Sequence, residues 1–249
     1  MDSFPLWVAL LFFVIAAAYA TVGLGGGSAY AAALVTLGAP YAAIPQVALA
    51  CNILVAGGGI WHFGRAGHVS FRACLPLLLA SVPAAYLGGR LHVGPTAFEF
   101  ALGGALLIAG VRMLASPGQG LRPGGRLRLW IAGLSIGGIV GFISGLVGIG
   151  GGILLGAVLV LSRWMDARTA AGTMAVFTFA NSVAGFAGHI QRGFVLGASA
   201  VPLIVAAVVG GQLGSRLGAR RLPTHRLRQL LALFLLIVAL RTLWEAIHP

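Results

Sequence analysis

Two glycine-rich runs carry the clearest chemistry in this chain. Val22-Gly23-Leu24-Gly25-Gly26-Gly27 returns 125 positions later as Val147-Gly148-Ile149-Gly150-Gly151-Gly152. A Gly-x-Gly-Gly-Gly run exposes backbone N–H groups with no side chain in the way. A helix that starts there adds unpaired N–H groups and about half a positive charge. In a low-dielectric setting this is an anion site made without a charged side chain. On this reading Gly25, Gly26, Gly27 and Ser28 in the first run contact the substrate, as do Gly150, Gly151, Gly152 and Ile153 in the second. The competing reading is a structural break. Gly133, Gly137, Gly141 and Gly145 recur every four residues, as do Gly210, Gly214 and Gly218, and these stripes suit close helix packing. Three adjacent glycines cannot all serve one helix face. No strand precedes either run, so neither is a dinucleotide loop.

Asn52 and Asn181 occupy matching places in the two halves, and each amide can donate two hydrogen bonds to an oxyanion. Their alternative role is an interhelical hydrogen bond. Gln46, Ser144, Thr173, Thr178 and Ser182 are weaker polar candidates, because Ser and Thr often bond their own helix. His62 and His189 also match, near segment ends, where a titrating ring can couple transport to protons or simply sit at the interface. The acids Asp2, Glu99, Asp166 and Glu245 form no catalytic dyad, and no nucleophile has a base at a suitable spacing. Cys51 and Cys74 lack metal-ligand spacing. No cofactor and no metal are expected.

The elements that hold these residues follow from composition. Of 249 residues, 59% are hydrophobic and only 8% are charged, with a mean hydropathy of +1.00. A soluble domain of this size carries about 25% charged residues. This excludes a soluble enzyme, a disordered chain and a disulfide scaffold, and leaves an all-α integral membrane protein. Apolar segments run over 6–37, 44–63, 72–91, 97–115, 128–162, 169–190, 194–216 and 227–247. The first and fifth are too long for one span, and both contain a glycine run. Trp7, Trp61, Trp130, Trp164 and Trp244 fall near segment ends, as interface anchors do.

Other features return at similar offsets. His62-Phe63-Gly64-Arg65 resembles His189-Ile190-Gln191-Arg192, and Leu87-Gly88-Gly89-Arg90-Leu91 resembles Leu213-Gly214-Ser215-Arg216-Leu217. The chain therefore divides into repeats at 1–115 and 128–249, joined by a Pro-, Gly- and Arg-rich linker at 116–127, within one membrane domain. The net charge of +12 comes from arginines between apolar runs rather than from a basic stripe, so nucleic acid is not an expected partner.

The same arginines decide topology. If the glycine-broken segments enter and return, Arg90, Arg192 and Arg241 share one side and the other thirteen arginines the other. If every segment crosses once, the split is even. The positive-inside rule selects the first arrangement. Each half then has about three full crossings plus a Gly-broken re-entrant or discontinuous helix pair. The halves are inverted, the linker is cytoplasmic and both termini are external. The first run reads as an arm at 6–22, a break at 23–27 and a half-helix at 28–37.

Two halves that each open with Val-Gly-[Leu/Ile]-Gly-Gly-Gly and later carry Leu-Gly-x-Arg-Leu resemble the TauE/SafE family of sulfite exporter-like permeases. The resemblance implies transport of sulfite, sulfonates or related organosulfur anions across a prokaryotic inner membrane. The resulting expectation is a secondary transporter with alternating access around a central site. The alternatives are a non-transport assembly protein or enzyme in the membrane, or a carrier or channel for another ion. Expected partners are a small anion, the lipid bilayer and a coupling proton or ion. Direction of transport, coupling ion and any homo-oligomer stay open.

Overall fold

In a computed structural model the described residues are 5–92, 94–114, 126–161, 165, 167–193 and 196–220, together with 233, 236–237, 239–244 and 246–247. Arg122 and most of the linker, Arg163, Trp164, Asp166, Arg221 and Glu245 lie outside them. All regular structure among the described residues is helical. The order is α1 (Leu6–Ala20), α2 (Gly27–Thr36), α3 (Ala43–Arg65), α4 (Phe71–Arg90), α5 (Pro95–Leu114), α6 (Arg126–Val147), α7 (Gly152–Leu161), α8 (Ala167–Ile190), a 3-10 turn at Ala198–Ala200, and α9 (Val201–Arg220). Helical residues recur at 239–244.

Among the described residues five stretches are long and apolar enough to cross a membrane: Ala43–Arg65, Phe71–Arg90, Leu129–Val147, Arg168–Ile190 and Ala198–Arg220. At about 1.5 Å per residue each matches a hydrocarbon core of about 30 Å. The protein is therefore a multi-pass membrane protein. Leu75, Leu79 and Leu87 on α4 and Val201, Val205, Val209 and Leu213 on α9 point outward, as expected where the surrounding solvent is lipid. Alanine, tyrosine and polar side chains fill much of the interior instead.

α3 and α8 pack on each other at the centre. α4 lies along α6, and α9 lies along α1. The glycine stripes make both contacts close. A Cβ at Gly141 would fall 2.6 Å from Ser81 Cα on α4, and one at Gly145 would fall 2.7 Å from Ala85 Cα. On the other side, Gly210, Gly214 and Gly218 lie against the backbones of Phe13, Ala17 and Thr21. Without a hydrophobic drive between helices in lipid, this backbone approach supplies the packing energy.

The contacts themselves recur. Gly88 meets Phe142, and 126 positions after Gly88, Gly214 meets Ala17, which lies 125 positions before Phe142. Gly23 meets Ala171, and Gly148 meets Pro45, by the same offsets. Each such contact joins a residue before the linker to one after it.

The helix limits differ slightly from the sequence expectation. α1 ends at Ala20, and α2 already includes Gly27. The reason is a glycine C-cap. Leu24 N–H returns to Tyr19 O at 3.1 Å and Gly23 N–H to Ala20 O at 3.2 Å, with Gly23 at φ 76°. This paired closure needs a left-handed residue, which glycine supplies without steric cost. Gly148, at φ 78°, closes α6 similarly, and Ile149 N–H reaches Ser144 O at 3.1 Å.

Candidate functional site

After each cap the backbone runs through the remaining glycines and restarts as a helix of 10 residues, α2 or α7. In α2 the first return bond is from Ala29 and Tyr30 to Gly26 O, at 3.0 Å each. In α7, Leu155 N–H reaches Gly151 O at 3.0 Å. The N–H groups of Gly27 and Ser28, and those of Gly152 and Ile153, precede these bonds. Both helix starts are buried.

The two starts are neighbours. A Cβ built on Gly27 would lie 2.9 Å from Ile149 O of the second break, and one on Gly152 would lie 3.1 Å from Leu24 of the first. Asn52 on α3 sits between them. Its side chain abuts Gly25 and Gly27 on one side, and a Cβ on Gly150 would come 2.5 Å from its Nδ2. Asn52 is fully buried, and neither atom of its amide has a hydrogen-bond partner.

Other unpartnered polar atoms gather at the same place. A Cβ on Gly150 would lie 2.7 Å from Ser182 Oγ, and one on Gly151 would lie 3.1 Å from Ser144 Oγ. Thr178 Oγ1 abuts Gly152, and the Tyr30 hydroxyl would be 2.9 Å from a Cβ on Gly26. All of these hydroxyls, and that of Tyr19, are buried without a partner. Each costs about 1–3 kcal/mol in that state. So many in one place require a functional explanation. A cavity of about 10 Å³ lies there, lined by Tyr19, Leu24, Gly25, Gly26, Gly27, Ser28, Ile149, Gly152, Ile153 and Thr178. That is room for about one water. The site is closed around its polar groups in this conformation.

The structure does not treat the two asparagines alike. Asn181 donates Nδ2–H to Phe177 O of its own helix at 2.9 Å, so only its Oδ1 is unpartnered. The histidines are not at the breaks. His62 Nε2 is 3.1 Å from Gln212 Oε1, and His189 Nε2 is 2.8 Å from Gly145 O. Thr173 Oγ1 donates to Met165 Sδ at 3.4 Å. Tyr19 and Tyr30 were not singled out by sequence reasoning. Their positions, just before the first break and four residues after Gly26, were the available signal. Tyr30 is held by stacking on Phe12, with ring centroids 4.7 Å apart.

A larger pocket of about 260 Å³ opens elsewhere, lined by Tyr41, Ala42, Pro45, Gln46, His92, Phe98, Leu146, His189, Arg192 and Gly193. It lies where the start of α3 meets the ends of α6 and α8. Gln46 donates Nε2–H to Gly193 O at 2.7 Å across it.

A family model described as sulfite exporter TauE/SafE matches residues 8–242. The chain belongs to the TauE/SafE family. It is 34% identical over 251 residues to a probable membrane transporter protein, y4hK, of Sinorhizobium fredii, covering 98% of this chain and all of that one. It is 27% identical to a probable membrane transporter protein of Xylella fastidiosa strain Temecula1, over 89% of this chain and 88% of the other. Probable membrane transporter protein YunE of Bacillus subtilis matches at 30%, but over 46% of this TauE/SafE chain and 42% of its own length. No solved structure matches. For this TauE/SafE protein the family supports membrane transport as its class of activity.

Proposed function

We propose that this protein is a secondary transporter for a small anion of the sulfite or sulfonate class, with its central site between the two glycine breaks. The observation that carries this reading is the cluster of unpartnered buried groups around two adjoining helix starts. Asn52 and the hydroxyls of Tyr19, Tyr30, Ser144, Thr178 and Ser182 surround Gly25–Ser28 and Gly150–Ile153. Neutral donors and helix N-termini attract an oxyanion yet still release it. A buried arginine would hold the anion as a desolvated ion pair.

The inverted-repeat reading completes the mechanism. Repeats at 1–115 and 128–249, joined by a cytoplasmic linker at 116–127, would rock against each other about the shared site. The recurring contacts between the first and second parts of the chain support this. The arginine distribution supports external termini in a prokaryotic inner membrane.

The test is flux in proteoliposomes with sulfite, methanesulfonate and the neutral dimethyl sulfone. We expect movement of the two anions and at least tenfold less of the sulfone. Equal movement of the sulfone, or movement of none of the three, would overturn the reading.

A further inference from the structure

We propose that the pocket at Arg192 is a second anion site, a vestibule that captures a small oxyanion before it reaches the glycine breaks. The anion class rests on the function proposed above, but the cationic character of the pocket rests on its own residues.

Arg192 lies just beyond α8 and lines the pocket, yet its Nε is buried without a partner. Partial burial pushes its guanidinium below the usual arginine range, although an arginine stays charged at neutral pH. Its neighbour holds it in place. A carbonyl can only accept, so His189 donates Nε2–H to Gly145 O at 2.8 Å. In the neutral ring Nδ1 is then the acceptor, and it faces Arg192 Nη1 at 3.5 Å. This contact engages one end of the guanidinium of a residue that lines the pocket.

Among the described residues no acid lines the pocket. Glu99 is buried, takes the Tyr41 hydroxyl and is not part of the wall. A partly buried cation with no acid in the pocket wall raises the local concentration of anions and orients a planar or tetrahedral oxyanion through its guanidinium.

The pocket also adjoins the second glycine break. Its wall includes Leu146 and Pro45, and a Cβ on Gly148 would lie 2.5 Å from Pro45. Pro45 and Asn52 are seven residues apart on α3, or about 10 Å along the axis. The vestibule and the central site are therefore separate but adjacent.

The test uses a cysteine at Ala42 in a chain whose buried Cys51 and Cys74 are replaced by alanine. Whole cells are treated from outside with an anionic methanethiosulfonate carrying a sulfonate, or with its cationic trimethylammonium counterpart. We expect the anionic reagent to react faster and methanesulfonate to protect. Arg192→Gln should lower the anionic-to-cationic rate ratio at least tenfold, and Arg192→Lys should keep most of it. A ratio unchanged by Arg192→Gln, or no reaction with either reagent in correctly inserted protein, would overturn the vestibule. The ratio needs no transport. A charge-dependent ratio in a protein that carries no anion would thus sustain the vestibule and sink the proposed function. In transporting protein, Arg192→Gln should raise KM several-fold for substrate presented on that face with kcat retained. A fall in kcat alone would assign Arg192 to structure.

Discussion

The two ends of the central α3–α8 pair are built from matching segments and finished differently. At one end the 191–193 turn faces the start of α3, and Gln46 spans the gap to Gly193 O at 2.7 Å. At the other, the residue 126 positions after Gln46 is Gly172, and the His68 carbonyl of the loop after α3 rests directly on it. A Cβ on Gly172 would also come 3.1 Å from Val69. One end is propped apart by a side chain and holds a pocket of about 260 Å³. The equivalent end is in backbone contact because no side chain intervenes. The two ends thus differ in closure, with a glutamine side chain at one and a glycine at the other. Alternating access needs such an asymmetry in any single conformation.

The largest effect should come from breaking the equivalence of the asparagines. Asn52→Leu removes the amide between the two breaks, and anion flux in proteoliposomes should fall more than tenfold. Because that amide is buried without a partner, the melting temperature should hold or rise. Asn181→Leu removes a bond to its own helix, so it should cost about 1 kcal/mol of stability and leave most of the flux. Equal loss of flux in both variants would restore the symmetric site.

A smaller effect should follow from exchanging the props. Gln46→Gly should let the 191–193 turn settle on α3 and slow modification of a cysteine at Ala42 several-fold. Gly172→Gln has no room beneath His68, so it should lift that loop and speed modification of a cysteine at Val69. Gln46→Ala controls for the helix cost of glycine, about 1 kcal/mol. If neither exchange changes the labelling rates, the closure difference does not arise from these residues.

The smallest effect concerns the breaks. Gly26 and Gly151 have φ 91° and 71°, so an alanine at either should cost about 1–2 kcal/mol in thermal unfolding. Gly26→Ala should be the worse, because its Cβ would meet Tyr30 at 2.8 Å, and Tyr30 is stacked on Phe12. At Gly151 the nearest atoms, on Phe177 and Ser144, are 3.0 Å away. The reverse order would indicate that the second break is the tighter one.

Much of this was legible in the chain. Glycine runs, four-residue glycine stripes and apolar segment lengths are local signals, and they located the breaks, the close packing and most of the spans. Asn52 stood out because an amide amid apolar residues is unusual. Arg192 did not, since an arginine at a segment end already has a reason to be there in the positive-inside rule. Its orphaned Nε depends on which neighbours fold around it. Gln46 read as a weak polar candidate because its partner, Gly193, is 147 positions away. The repeat pairs Asn52 with Asn181, but repetition carries no information about which amide finds a carbonyl on its own helix. The first break begins two positions earlier than expected because a glycine C-cap takes up residues that still look helical, and α2 starts one position early.

The glycine stripe of α9 against α1 also sets an order of assembly. Phe13 meets Gly210, 197 positions further on. At about 5–20 residues per second, α1 leaves the ribosome about 10–40 s before its partner exists. Throughout that interval the face with Phe13, Ala17 and Thr21 must wait against lipid, an insertase or a temporary neighbour. α4 and α6 are nearer in the chain and can pair much sooner. A nascent chain stalled before α9 should therefore carry a settled α4–α6 pair beside a first helix whose α9 face is still uncovered.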